Sequence, residues 1–131
     1  MKNLIFLTIL LTSSLFAKLT NEYASQQLLN SHIPIVDIRT PPEWQETGLI
    51  KGAIPIMFFN EQGGYDVNGW LKELNKKVDT TKPFALICHT GSRTMVVAQF
   101  LSQKLNYNVI NILGGMEYAE AKKLPILPYK K

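Results

Sequence analysis

The chain has 131 residues, 46% of them hydrophobic, and a formal net charge of +4. That size and composition fit one globular domain and exclude a disordered chain or a large multidomain assembly. The charge is mild and its lysines are scattered, without an aromatic-and-basic stripe, which argues against nucleic acid as a partner.

The first segment reads as a leader. Lys2 supplies a positive start, Leu4 to Leu11 is apolar except for Thr8, and Leu15-Phe16-Ala17 offers a cleavage point. The apolar run is too short to span a bilayer comfortably. Residues 1–17 are therefore expected to be a signal peptide, with an uncleaved N-terminal anchor as the rival reading, and 18–131 the domain, periplasmic or otherwise exported, with no membrane association after cleavage. Cys88 is the chain's one cysteine, so no internal disulfide can form. A free thiol in an oxidising compartment is either buried and inert or used.

Helix and strand signals then alternate. Thr20 is placed to cap a helix running to Asn30. Ile33 to Ile38 is a short β-branched run, read as a buried strand, and Pro41-Pro42 stops it. Glu43 to Thr47 forms one helical turn closed by Gly48. A second strand covers Ala53 to Phe58, with Pro55 placing it near an edge. After a loop at Asn60 to Asn68, Gly69 to Val78 reads as a helix with Trp70, Leu71 and Leu74 inward. Phe84 to Cys88 is the central strand and Ser92 to Leu105 its helix. Val109 to Ile112 is another strand, Gly114-Gly115 breaks it, and Met116 to Lys123 is helical. Leu124 to Pro128 is an extended tail. Strands without polar alternation, separated by helices, predict an α/β domain: a central parallel sheet of about five strands with helices on both faces. In such sheets the functional site lies at the carboxyl ends of strands.

Cys88 falls at such an end, in the stretch Cys88-His89-Thr90-Gly91-Ser92-Arg93. A helix N-terminus offers unpaired N–H groups and partial positive charge, which favour a thiolate, as does a nearby arginine. Gly91 lets successive N–H groups turn toward one point. Thr90 and Ser92 add hydroxyl donors. Arg93, one of two arginines, is expected to close the loop or contact an anion, because its planar fork suits multi-oxygen groups. His89 is expected at the rim, touching donor or acceptor. Asp37 and Arg39 are expected to form a buried supporting brace rather than to do chemistry.

The Cys-x-x-Gly-x-Arg pattern between strand and helix resembles the rhodanese sulfurtransferases. Three further segments carry the same resemblance, which spans about residues 20 to 123. Val36-Asp37-Ile38-Arg39-Thr40-Pro41-Pro42-Glu43-Trp44 is similar to the family's N-terminal signature. Gly48-Leu49-Ile50-Lys51-Gly52-Ala53-Ile54-Pro55 is similar to its Gly-His-Ile-x-Gly-Ala segment, and Val109-Ile110-Asn111-Ile112-Leu113-Gly114-Gly115-Met116 to its last strand and double glycine. Leu49 and Met116 depart from the family's histidine and tryptophan at positions that read as structural.

The resemblance implies that Cys88 attacks the outer sulfur of thiosulfate or a persulfide donor and becomes a persulfide. Cyanide, a small thiol or a protein thiol partner then takes the sulfur. It implies no metal and no organic cofactor. With one basic residue in the loop besides His89, thiosulfate is the weaker candidate donor. A non-enzymatic sulfur or redox carrier is the alternative. A binding module would have shown an altered or missing cysteine. The related phosphatases, and arsenate-handling enzymes with them, are set lower: phosphatases carry one residue more between Cys and Arg, and a shorter cradle fits a single sulfur.

Overall fold

The computed structural model describes residues 18–130; the expected leader lies outside them. The chain runs β1 (Leu19–Tyr23), α1 (Gln26–Asn30), β2 (Ile35–Asp37), α2 (Pro41–Thr47), β3 (Leu49–Ile50), β4 (Ile54–Pro55), α3 (Val67–Lys77), β5 (Phe84–Ile87), α4 (Ser92–Leu105), β6 (Val109–Leu113), α5 (Gly115–Ala121) and β7 (Ile126–Leu127). Five strands form one sheet in the order β1-β6-β5-β2-β4, and every pairing in it is parallel. The fold is α/β, as the alternating pattern predicts.

The uniformly apolar strands bury both faces. Alternate residues of β5 divide between two cores: Phe84 and Leu86 enter one, Ala85 and Ile87 the other. The first core packs against α3 and α4 through Trp70, Leu74, Val97 and Leu101. The second packs against α1 and α5 through Leu28, Met116 and Ala119. Cys88 continues the β5 alternation into the first core and is fully buried. The central strand thus delivers the sulfur beneath the start of α4.

Three expectations are corrected. The segment from Thr20 is not helical at its start: Leu19–Tyr23 is a strand in parallel register with β6, Leu19 opposite Val109 through Tyr23 opposite Leu113. The buried β6 needs a neighbour on its outer side to take up its N–H and C=O groups. The helix begins only after Ser25, whose side chain accepts from Leu28 N–H at 3.0 Å. The strand expected over Ala53 to Phe58 is regular only at Ile54–Pro55, because proline gives no N–H to a ladder. It still reaches its neighbour through Ile56 N–H to Asp37 C=O and Phe58 N–H to Ile38 C=O. The extended tail is a strand: β7 pairs antiparallel with β3, Leu49 opposite Leu127.

Candidate functional site

The site is built where β5 ends and α4 begins. Gly91 adopts φ +104°, a left-handed conformation that glycine tolerates, and turns its N–H onto the Cys88 sulfur at 3.2 Å. Thr94 Oγ1 lies 3.6 Å from the same sulfur and donates to Gly91 C=O at 3.1 Å. Thr94 is fully buried, so its hydroxyl serves only the loop and the sulfur. Among the described residues no acceptor takes the backbone N–H groups of His89, Thr90, Ser92, Arg93 or Thr94. The loop therefore holds free amide donors next to a sulfur that already accepts one. His89, Thr90 and Ser92 are exposed and Gly91 is half-buried.

The back of the loop is held by α5. Met116 N–H donates to Cys88 C=O at 2.8 Å and Glu117 N–H to His89 C=O at 3.0 Å. This contact requires Gly115. A Cβ there would sit 2.4 Å from both carbonyl oxygens, and the residue has φ +55°. The double glycine is thus a close approach of backbone to the loop as well as a strand end.

Of the two roles expected of Arg93, the geometry shows loop closure. Its Nη1 and Nη2 donate to Glu43 Oε1 and Oε2 at 2.7 and 2.8 Å, a bidentate pair between α4 and α2. The fork is occupied by a carboxylate of the protein itself. It closes the loop against α2, while the contact with an external anion expected of it is not what the geometry shows. Glu43 also accepts from Thr40 N–H and Oγ1 at 3.3 and 3.0 Å. Its carboxyl is held down to about 2, chiefly by the hydrogen bond from Arg93 and against the effect of burial. Arg93 is pushed further up, first by its bond to Glu43.

Asp37 and Arg39 do form a buried brace. Arg39 Nε lies 3.1 Å from both Asp37 oxygens and Nη2 lies 2.8 Å from Oδ2. The remaining donors reach Thr47 Oγ1 and Gly48 C=O, each at 2.7 Å. Trp44 Nε1 donates to Asp37 Oδ1 at 3.2 Å. Every heavy donor and acceptor of the pair is satisfied, which is what lets two charges sit in the core. The brace ties the end of β2 to α2, and α2 presents Glu43 to Arg93.

Sequence reasoning left out Thr94 and Glu43. Thr94 sits inside a stretch that reads simply as helix. Glu43 is 50 residues from Arg93, and no local pattern announces that pairing.

The rhodanese-like domain family matches residues 20–122. Among curated proteins, the uncharacterised protein RP600 of Rickettsia prowazekii is 29% identical over 93 residues, covering 69% of this chain and 74% of its own. A rhodanese-like domain protein of Staphylococcus aureus shares the fold with a TM-score of 0.58 at 22% identity, covering 84% of this chain and 98% of its own. The Rv0390 protein of M. tuberculosis shares it with a TM-score of 0.60 at 18% identity, covering 75% and 80%.

Proposed function

Since the chain belongs to the rhodanese-like family, we propose that it is a sulfurtransferase working through a persulfide on Cys88. The observation that carries this reading is the loop itself: a lone sulfur at the end of β5, accepting from Gly91 N–H at 3.2 Å, in a loop whose other amides have no backbone acceptor among the described residues. Those donors suit a terminal sulfur bearing negative charge and are fixed in place before reaction. The thiolate attacks the outer sulfur of a sulfane donor, the donor's S–S bond breaks, and its remaining part leaves with the electron pair. A thiophilic acceptor, a thiol or cyanide, then attacks the terminal sulfur and restores the Cys88 thiolate, a ping-pong cycle. Arg93, Glu43, Asp37 and Arg39 hold the loop and α2 and take no part in bond making.

The test is transfer of sulfur to cyanide, read as thiocyanate, with Cys88→Ser beside the native chain. Turnover that the substitution abolishes is expected; turnover surviving it would overturn the assignment. Fast discharge by small acceptors marks an enzyme, whereas discharge only by a protein thiol would mark a carrier. The leader-like residues 1–17 support an exported location. Fractionation of cells expressing the full chain checks it, with a shortened protein expected outside the cytoplasm and a full-length cytoplasmic one contradicting it.

A further inference from the structure

The two edges of the central sheet are protected unequally. The β4 edge is regular over Ile54–Pro55 only, and one of those residues is a proline. The β1 edge is the full strand Leu19–Tyr23, with no proline, glycine or lysine in it. Its register with β6 is continuous from Leu19 to Tyr23, so it carries no bulge. Proline, lysine, bulges and shortness are the usual means by which an edge is kept from pairing with another chain, and β1 uses none of them. Val109 N–H donates to Lys18 C=O at 3.0 Å. Backbone groups alternate sides along a strand, so Thr20 and Glu22 turn their N–H and C=O toward β6, while Leu19, Asn21 and Tyr23 turn theirs away. Among the described residues no backbone group pairs with that outer row. Asn21, Glu22 and Tyr23 are exposed.

The row is complementary to itself. Set antiparallel to a copy about Asn21, the strand places Leu19 opposite the copy's Tyr23, Thr20 opposite its Glu22 and Asn21 opposite its Asn21. The residues that exchange bonds in this register are the outward ones. An apolar side chain meets an aromatic one, and the strand's one acidic residue faces a hydroxyl instead of a second carboxylate. Lys18 lies diagonally across from the copy's Glu22, within reach of a long side chain. A slip centred on Glu22 would set two carboxylates face to face. A slip centred on Thr20 would carry Tyr23 past the start of the copy's strand. Asn111 Nδ2 donates to Asn21 Oδ1 at 3.0 Å, which fixes the central side chain and leaves its Nδ2 as a donor for the copy. The geometry points to a second copy of this chain as the occupant of this edge, paired β1 to β1 so that the two central sheets become one. The two-fold axis passes through the Asn21 pair, perpendicular to the sheet, and turns the carboxyl ends of the two sheets in opposite directions. Both Cys88 loops, built where β5 ends, therefore stay open. The pairing is independent of the chemistry assigned to Cys88.

Sedimentation equilibrium over a concentration series, on protein purified from cells expressing the full chain, measures the dissociation constant. A reversible dimer with a constant below about 100 μM is expected. Thr20→Glu sets a carboxylate opposite the copy's Glu22 at both symmetric contacts and should raise the constant about fivefold or more; Thr20→Lys sets an ammonium there and should lower it about threefold or more. Amide exchange of the native chain gives a readout that needs no substitution. The Asn21 and Tyr23 amides should gain protection as concentration rises, while those of Thr20 and Glu22, already bonded to β6, should not change. A constant above about 100 μM, a dimer that responds alike to both substitutions or to neither, or exchange at Asn21 and Tyr23 that ignores concentration would each overturn the inference.

Discussion

Replacing Glu43 by glutamine removes one charge from the contact between α2 and the loop and leaves the shape intact. Glutamine serves the N3 position of a helix nearly as well as glutamate, so the change isolates the ion pair with Arg93. The carboxyl lies at about 2 against an ordinary 4.5. At full value such a depression corresponds to about 3 kcal/mol favouring the folded, charged form. The two side chains are 28% and 29% exposed, so screening by solvent leaves about 1–2 kcal/mol. Because the folded pKa is depressed, this stabilisation is present above pH 4.5 and is lost as pH falls toward 2. Glu43→Gln is thus expected to destabilise the domain by about 1–2 kcal/mol near neutral pH and by much less near pH 2.5. Urea unfolding of both proteins at the two pH values measures this. An equal deficit at both would show that the charge is not what Glu43 contributes. No deficit near neutrality would show that the pair adds nothing to stability.

Other expectations concern the loop and its supports. Gly115→Ala places a Cβ 2.4 Å from two carbonyl oxygens at φ +55°, and should cost about 3 kcal/mol or more through overpacking and the strained backbone; a melting temperature within a degree or two of the native protein would contradict the close approach. Thr94→Val removes the hydroxyl 3.6 Å from the sulfur and should slow loading of Cys88 by roughly tenfold with little change in fold, whereas an unchanged loading rate would take Thr94 out of the site. Arg39→Leu leaves the buried Asp37 carboxylate without its partner and should cost about 3–5 kcal/mol, much of which the added change Asp37→Asn restores; a double variant no better than the single would refute the brace as a charge pair.

The parts of this fold that are legible in sequence are those whose signals are local. Phe84 to Ile87 is wholly apolar, Gly91 marks the turn, and Ser92 to Leu105 is free of glycine and proline, so strand, loop and helix can be read in order. The brace between Asp37 and Arg39 is equally local, two residues apart on one strand end. The parts that are hidden depend on distant partners. Thr20 to Tyr23 is polar and looks like a helix entry; it is a strand only because β6 lies beside it. The tail strand β7 likewise exists only against β3. Arg93 reads as either a loop clamp or an anion contact until Glu43 is seen to occupy its fork.

The measurement closest to the central claim is the intact mass of the domain after a sulfane donor and again after cyanide, with Cys88→Ser alongside. With 2-hydroxyethyl hydropersulfide and thiosulfate both supplied, the native protein is expected to gain one sulfur atom, to lose it to cyanide, and to show no gain when Cys88 is serine. A native protein that takes sulfur from neither donor, or a serine variant that gains it equally, would contradict a persulfide on Cys88.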